Sequence, residues 1–168
     1  MNPLQQKIIR RIKSEGPITF KTFMEMALYE PELGYYTSQK TRIGRSGDFY
    51  TSSHLHPAFG MMIGKQIEEM WEIMDRPSVF QIVEMGSGAG YLCKDILDYL
   101  KNRELFNSLS YTIVELNPAM KTDQQNLLTV FSGKIRWVSS IRELNNIKGC
   151  ILSNELLDAF PVHIIEMN

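Results

Sequence analysis

Only two cysteines, Cys93 and Cys150, occur in this 168-residue sequence, and no Cys-x-x-Cys spacing joins them. That argues against a disulfide framework and a cysteine-ligated zinc site, and both thiols read as reduced core residues in a cytosol-like compartment. Long apolar runs are missing too. None approaches the length needed to span a bilayer, and Met1-Asn2-Pro3-Leu4-Gln5-Gln6 has no secretory core. Neither charge sign is in excess: 18 Lys and Arg face 19 Asp and Glu, for a net charge of −1. A nucleic-acid partner read through a broad basic field is therefore disfavoured. Histidine is scarce as well. His54 and His56 stand two apart without a cysteine or carboxylate cluster, and His163 is isolated, so no metal site is expected.

What is present centres on Ile82-Val83-Glu84-Met85-Gly86-Ser87-Gly88-Ala89-Gly90. Val79, Phe80, Ile82 and Val83 look like a buried parallel strand, and Leu92, Ile96 and Leu100 follow at helical spacing. The alternating glycines thus sit on a strand-to-helix turn, where positive φ is needed and a missing Cβ lets a ligand lie against bare backbone. The dinucleotide fingerprint Gly-x-Gly-x-x-Gly would require a third glycine where Tyr91 stands, which weakens a nicotinamide-dependent oxidoreductase.

The chain before this turn reads as helical. Leu4, Ile8 and Ile12 mark one helix from Pro3 to Ser14, Gly16-Pro17 stops it, and Thr19 caps a second from Phe20 to Tyr29. Residues Tyr35 to Ser53 form a long loop rich in Gly, Ser, Thr and Arg, either a solvated connector, with Ser52 or Ser53 capping the next helix, or a functional segment. A Met and aromatic stripe from Pro57 to Met74 is a core helix. Residues 1–76 are thus a helical cap and 77–168 a second region.

After the turn, Tyr111-Thr112-Ile113-Val114-Glu115 is a strand ending in an acid, and Asn117-Pro118 start a helix to about Phe131. Glu115 lies 25 residues beyond Gly90, at the carboxyl end of a strand that would neighbour the first. Ile135-Arg136-Trp137-Val138 and Gly149-Cys150-Ile151-Leu152-Ser153 are further strands, with a short polar helix, Ile141 to Asn146, between them. This alternation implies an α/β parallel sheet of Rossmann-like type. Beyond the last strand, Asn154, Glu155 and Asp158 would face the same crevice, the two acids on one side of a helical turn, or would be solvated.

The pattern acid-x-Gly-x-Gly-x-Gly from Glu84 to Gly90 resembles motif I of the S-adenosylmethionine methyltransferases. Together with Leu28-Tyr29-Glu30-Pro31-Glu32-Leu33-Gly34-Tyr35-Tyr36, Gly47-Asp48-Phe49-Tyr50-Thr51-Ser52 and Asn154-Glu155-Leu156-Leu157-Asp158-Ala159-Phe160-Pro161-Val162, it resembles the MidA family over nearly the whole chain. The resemblance implies S-adenosylmethionine as cofactor. Gly86, Ser87, Gly88 and Gly90 would hold its methionyl moiety, Glu84 its ammonium and Glu115 its ribose, with Gly47, Asp48 and Thr51 in a lid. An adenine-facing acid is expected just past the third strand, but Ser139-Ser140 stand there. Ser153-Asn154-Glu155-Leu156-Leu157 is similar to the loop with which protein arginine methyltransferases grip a guanidinium, so the resemblance assigns Asn154, Glu155 and Asp158 to the acceptor. It further implies a protein substrate, with arginine as the side chain and a respiratory-complex subunit as the specific candidate. The compartment implied is cytoplasmic, or the mitochondrial matrix in a eukaryote. Family members are longer, so a truncated chain with an incomplete sheet is expected. The competing reading is a cofactor-binding assembly module without turnover.

Overall fold

The computed structural model describes residues 1–38 and 56–167. Gly47, Asp48 and Thr51, expected in a lid, and Ser52, Ser53 and His54 lie outside the described residues. The chain forms two compact units, Thr41–Asn154 and Met1–Lys40 with Glu155–Asn168.

The larger unit holds a four-stranded parallel sheet, β1 (Phe80–Met85), β2 (Leu109–Val114), β3 (Ile135–Val138) and β4 (Gly149–Ser153), in the order β3-β2-β1-β4. Phe80, Ile82, Tyr111 and Ile113 are completely buried, as the apolar runs require of a sheet covered by helices. Each such side chain contributes roughly 1.5–3 kcal/mol of burial. Val79 is 58% exposed and precedes the strand, since the chain is still leaving the preceding turn there. Gly149 pairs with Gln81 so closely that an added Cβ would sit 1.9 Å from the Gln81 carbonyl oxygen. Only glycine allows β4 to start beside β1.

Helix α3 (Ala58–Ile73) packs against α4 (Tyr91–Leu100) and shares the sheet's core through Ile67 and Trp71. The expected cap helix from Pro57 to Met74 therefore belongs with the sheet. His56 Nδ1 accepts from the Ala58 amide at 3.0 Å, so this histidine caps the helix. A short helix, α5 (Leu105–Ser108), leads directly into β2. Helix α6 (Pro118–Leu127) is capped by Asn117, whose Oδ1 accepts from the Ala119 amide at 3.0 Å. It ends sooner than Phe131, because residues Thr129–Phe131 tighten into a 3₁₀ turn. Ile141–Glu143 is likewise a single 3₁₀ turn. Cys93 is buried and Cys150 half-buried, both unbonded.

In the smaller unit, α1 (Pro3–Glu15) and α2 (Phe20–Tyr29) pack together. Asn2 and Gln5 form a capping box on α1, and Thr19 caps α2. Lys7 is ion-paired with Glu30, and the Tyr29 hydroxyl donates to the Ala159 carbonyl at 3.0 Å.

Candidate functional site

The strand register aligns Met85 with Val114 and with Ser153, and Val114 with Val138. The four carboxyl ends therefore share one edge. After β1, β2 and β3 have run to one side, the chain returns to place β4 on the other flank of β1. This reversal is the switch point at which open α/β sheets bind ligands.

At the end of β1, Glu84 is 2% exposed and its Oε2 accepts two hydrogen bonds. One comes from Ser87 Oγ at 2.9 Å and one from Tyr111 Oη at 2.8 Å. Burial pushes the carboxyl up to about 7, against the opposing pull of those two donors. Glu84 thus ties the loop to the sheet from beneath. Above it, φ is positive at Gly86 (72°), Gly88 (55°) and Gly90 (89°) but not at Ser87 and Ala89. Alternation of this kind turns successive N–H groups toward one side and creates a concavity suited to an anion. Gly90 donates to the Ser87 carbonyl at 2.9 Å and opens α4.

At the end of β2, Glu115 is half-buried. Its Oε1 accepts from the Asn117 amide at 2.8 Å and its Oε2 from Gln124 Nε2 at 3.0 Å. Burial raises its pKa, while those donors and the Leu116 amide lower it. Gln124 was not singled out from the sequence, although its place on α6 between buried Met120 and Leu128 marks it as a polar residue on an apolar face. At the end of β3, the amides of Ser139 and Ser140 each donate to Glu143 Oε1 at 2.8 Å. No acid stands immediately past this strand, and Glu143, five residues beyond Val138, folds back as a cap on the turn that follows.

At the end of β4, Asn154 is half-buried. Glu155 is exposed at a left-handed φ of 53°, and Asp158 is exposed within the 3₁₀ turn Leu157–Ala159. The expectation that these acids share one side of a helical turn is thus corrected. Glu155 precedes the turn and its backbone has the opposite hand. In the smaller unit, Asp158 acts electrostatically on Tyr36, whose phenol is shifted up by burial first and by this carboxylate second.

The structure therefore brings Glu84 together with Ser87 and Tyr111, and Gly88 together with Glu115 through Gln124. A loop of this alternating hand has the geometry to receive an anion, and a carboxylate with the acceptor capacity of Glu115 stands just past the next strand. No helix among the described residues is long and apolar enough to cross a membrane.

A family model described as "Putative S-adenosyl-L-methionine-dependent methyltransferase" matches residues 62–168. The chain is 29% identical to the mitochondrial protein arginine methyltransferase NDUFAF7 homolog of Drosophila melanogaster, covering 98% of this chain and 42% of that protein. It is 31% identical to the mitochondrial protein arginine methyltransferase NDUFAF7 of Danio rerio, covering 91% and 41%. A crystal structure of a Burkholderia thailandensis protein bound to S-adenosyl-homocysteine superposes with a TM-score of 0.81 at 27% identity, covering 94% of this chain and 42% of that one. The chain spans less than half the length of these relatives.

Proposed function

The chain belongs to the MidA family of S-adenosylmethionine-dependent methyltransferases, and from that membership we propose that it is the cofactor-binding part of an enzyme that methylates a protein side chain, specifically arginine. The observation that carries this reading is the pairing of a glycine loop of alternating hand with a braced carboxylate on the adjacent strand. S-adenosylmethionine, when bound, supplies an electrophilic methyl group on a sulfonium. The residues present suit such a molecule. The concave backbone of Gly86, Ser87, Gly88 and Gly90 matches its carboxylate, and Glu115 can accept from its ribose hydroxyls.

Glu84 has a part besides the expected contact with the ammonium. With its Oε2 occupied by Ser87 and Tyr111 at 2% exposure, it holds the loop that would receive the amino-acid tail. Asn154, Glu155 and Asp158 are the acceptor-side candidates. A carboxylate there would orient a guanidinium by paired hydrogen bonds. The names of the arginine methyltransferase relatives support a protein substrate, and their mitochondrial assignment supports the matrix as the compartment if the source is eukaryotic. A respiratory-complex subunit remains the specific candidate partner.

Calorimetric titration with S-adenosylhomocysteine tests the reading, with NADH as control. Binding of the first and not the second is expected. Glu115→Ala should weaken it about 10- to 100-fold, the cost of losing hydrogen bonds to a charged acceptor, without unfolding the domain. Equal affinity in the variant would remove Glu115 from the site.

A further inference from the structure

Gln124 lies outside every motif discussed above, yet its side chain joins three strand ends. It is fully buried on α6. Nε2 donates to the Gly88 carbonyl at 2.8 Å and to Glu115 Oε2 at 3.0 Å, while Oε1 accepts from Trp137 Nε1 at 2.9 Å. These partners belong to the loop after β1, the end of β2, and β3. They also dictate which way the amide points. An indole nitrogen can only donate, so it must face the carboxamide oxygen; a carbonyl and an ionised carboxylate can only accept, so they must face the amide nitrogen. The flipped amide would set like against like at all three contacts.

We propose that Gln124 is the positioning residue for ribose recognition, setting the orientation of the Glu115 carboxylate relative to the glycine loop, with Trp137 locking the amide. The inference rests on the reading of Glu115 as the ribose acceptor. A carboxylate pinned on Oε1 by the Asn117 amide and on Oε2 by Gln124 cannot swing. A carboxylate offers about four acceptor positions in all, so one held in this way can still receive a ligand hydroxyl. Because the same amide hydrogen-bonds Gly88, the distance between the loop and the carboxylate is set by a single rigid group. That distance is what a ligand bridging the two must match.

The test compares S-adenosylhomocysteine with its 2′,3′-dideoxy analogue, which lacks both ribose hydroxyls, by calorimetric titration. The wild-type chain should prefer the hydroxylated ligand about 10- to 100-fold. Glu115→Ala should abolish that preference. Gln124→Leu, of similar size and without the amide, should reduce the preference nearly as far, and combining it with Glu115→Ala should reduce it no further. Trp137→Phe removes only the lock on the amide and should reduce the preference by a smaller factor, about 3-fold. It keeps the question answerable if Gln124→Leu does not fold. A merely structural Gln124 would weaken both ligands equally and leave the preference intact. Loss of the preference in Glu115→Ala but retention in both Gln124→Leu and Trp137→Phe overturns the role of Gln124 alone. A wild-type chain that binds no S-adenosylhomocysteine, or a Glu115→Ala variant that keeps the preference, overturns the ribose reading and this inference with it.

Discussion

The acids at the ends of β1 and β2 and those beyond β4 are held very differently. Glu84 and Glu115 sit among buried donors, each oxygen described above having a named partner. Glu155 and Asp158 are exposed, the first in left-handed backbone before a 3₁₀ turn and the second within that turn. A cofactor that is the same in every turnover can be met by a rigid, pre-organised site, which costs little to order on binding. An acceptor side chain arrives on a partner, and the groups that meet it stay open to solvent until it does.

The largest expected effect lies on the buried side. Folded Glu84 keeps its proton until about pH 7, from an ordinary value of 4.5. An unfolded chain releases that proton near the ordinary value. Its contribution to stability is therefore fully present below about pH 4.5 and is lost as pH rises through about 7, a change of about 3 kcal/mol. Glu84→Gln cannot ionise. Its urea-unfolding free energy should fall less than that of the wild type between pH 5 and pH 8, by roughly this amount. Parallel pH profiles would mean that the buried carboxyl is not strained by its surroundings.

On the exposed side, Glu155→Gln should lower methyl transfer about 100-fold in a chain of the relatives' full length, the scale of misplacing a reacting group. Affinity for S-adenosylhomocysteine should stay unchanged. Full activity in that variant would erase the contrast between the buried and the exposed acids. The smallest effect belongs to Gly90→Ala. At φ 89° an L side chain costs about 1–2 kcal/mol, and the new Cβ would sit 3.4 Å from Gln124 Cγ. A modest drop in melting temperature is expected, larger than for alanine at the exposed Gly133, which has nothing within 4 Å.

How far the sequence could be read follows the same contrast. β3 and β4 have the residue limits that their apolar runs suggest, and the Thr19 and Asn117 caps lie where a short polar residue precedes a helix. These are local effects of side-chain period and orphan amides. The depth of Glu84 is not local. It depends on Tyr111 arriving from a strand 27 residues away, and nothing next to Glu84 announces that. Gln124 was in principle legible as the polar member of a buried helical stripe, but its three partners come from the loop after β1, the residue past β2, and β3. Beyond β4, spacing alone suggested a helical turn with both acids on one side, and the left-handed backbone at Glu155 defeats any reading that assumes regular geometry.

The position of β1 in the middle of the sheet bears on how the molecule is made. Its flank facing β4 is closed by partners such as Lys148, whose amide donates to the Gln81 side chain at 3.0 Å across 67 residues of chain. At ordinary rates of synthesis, about 5–20 residues per second, that flank emerges roughly 3–13 s before its partner exists. During this interval β1 can pair with β2, yet it presents an unpaired edge on its other side to whatever strand is nearby. A nascent chain paused before Gly149 would leave that edge of β1 without its partner strand.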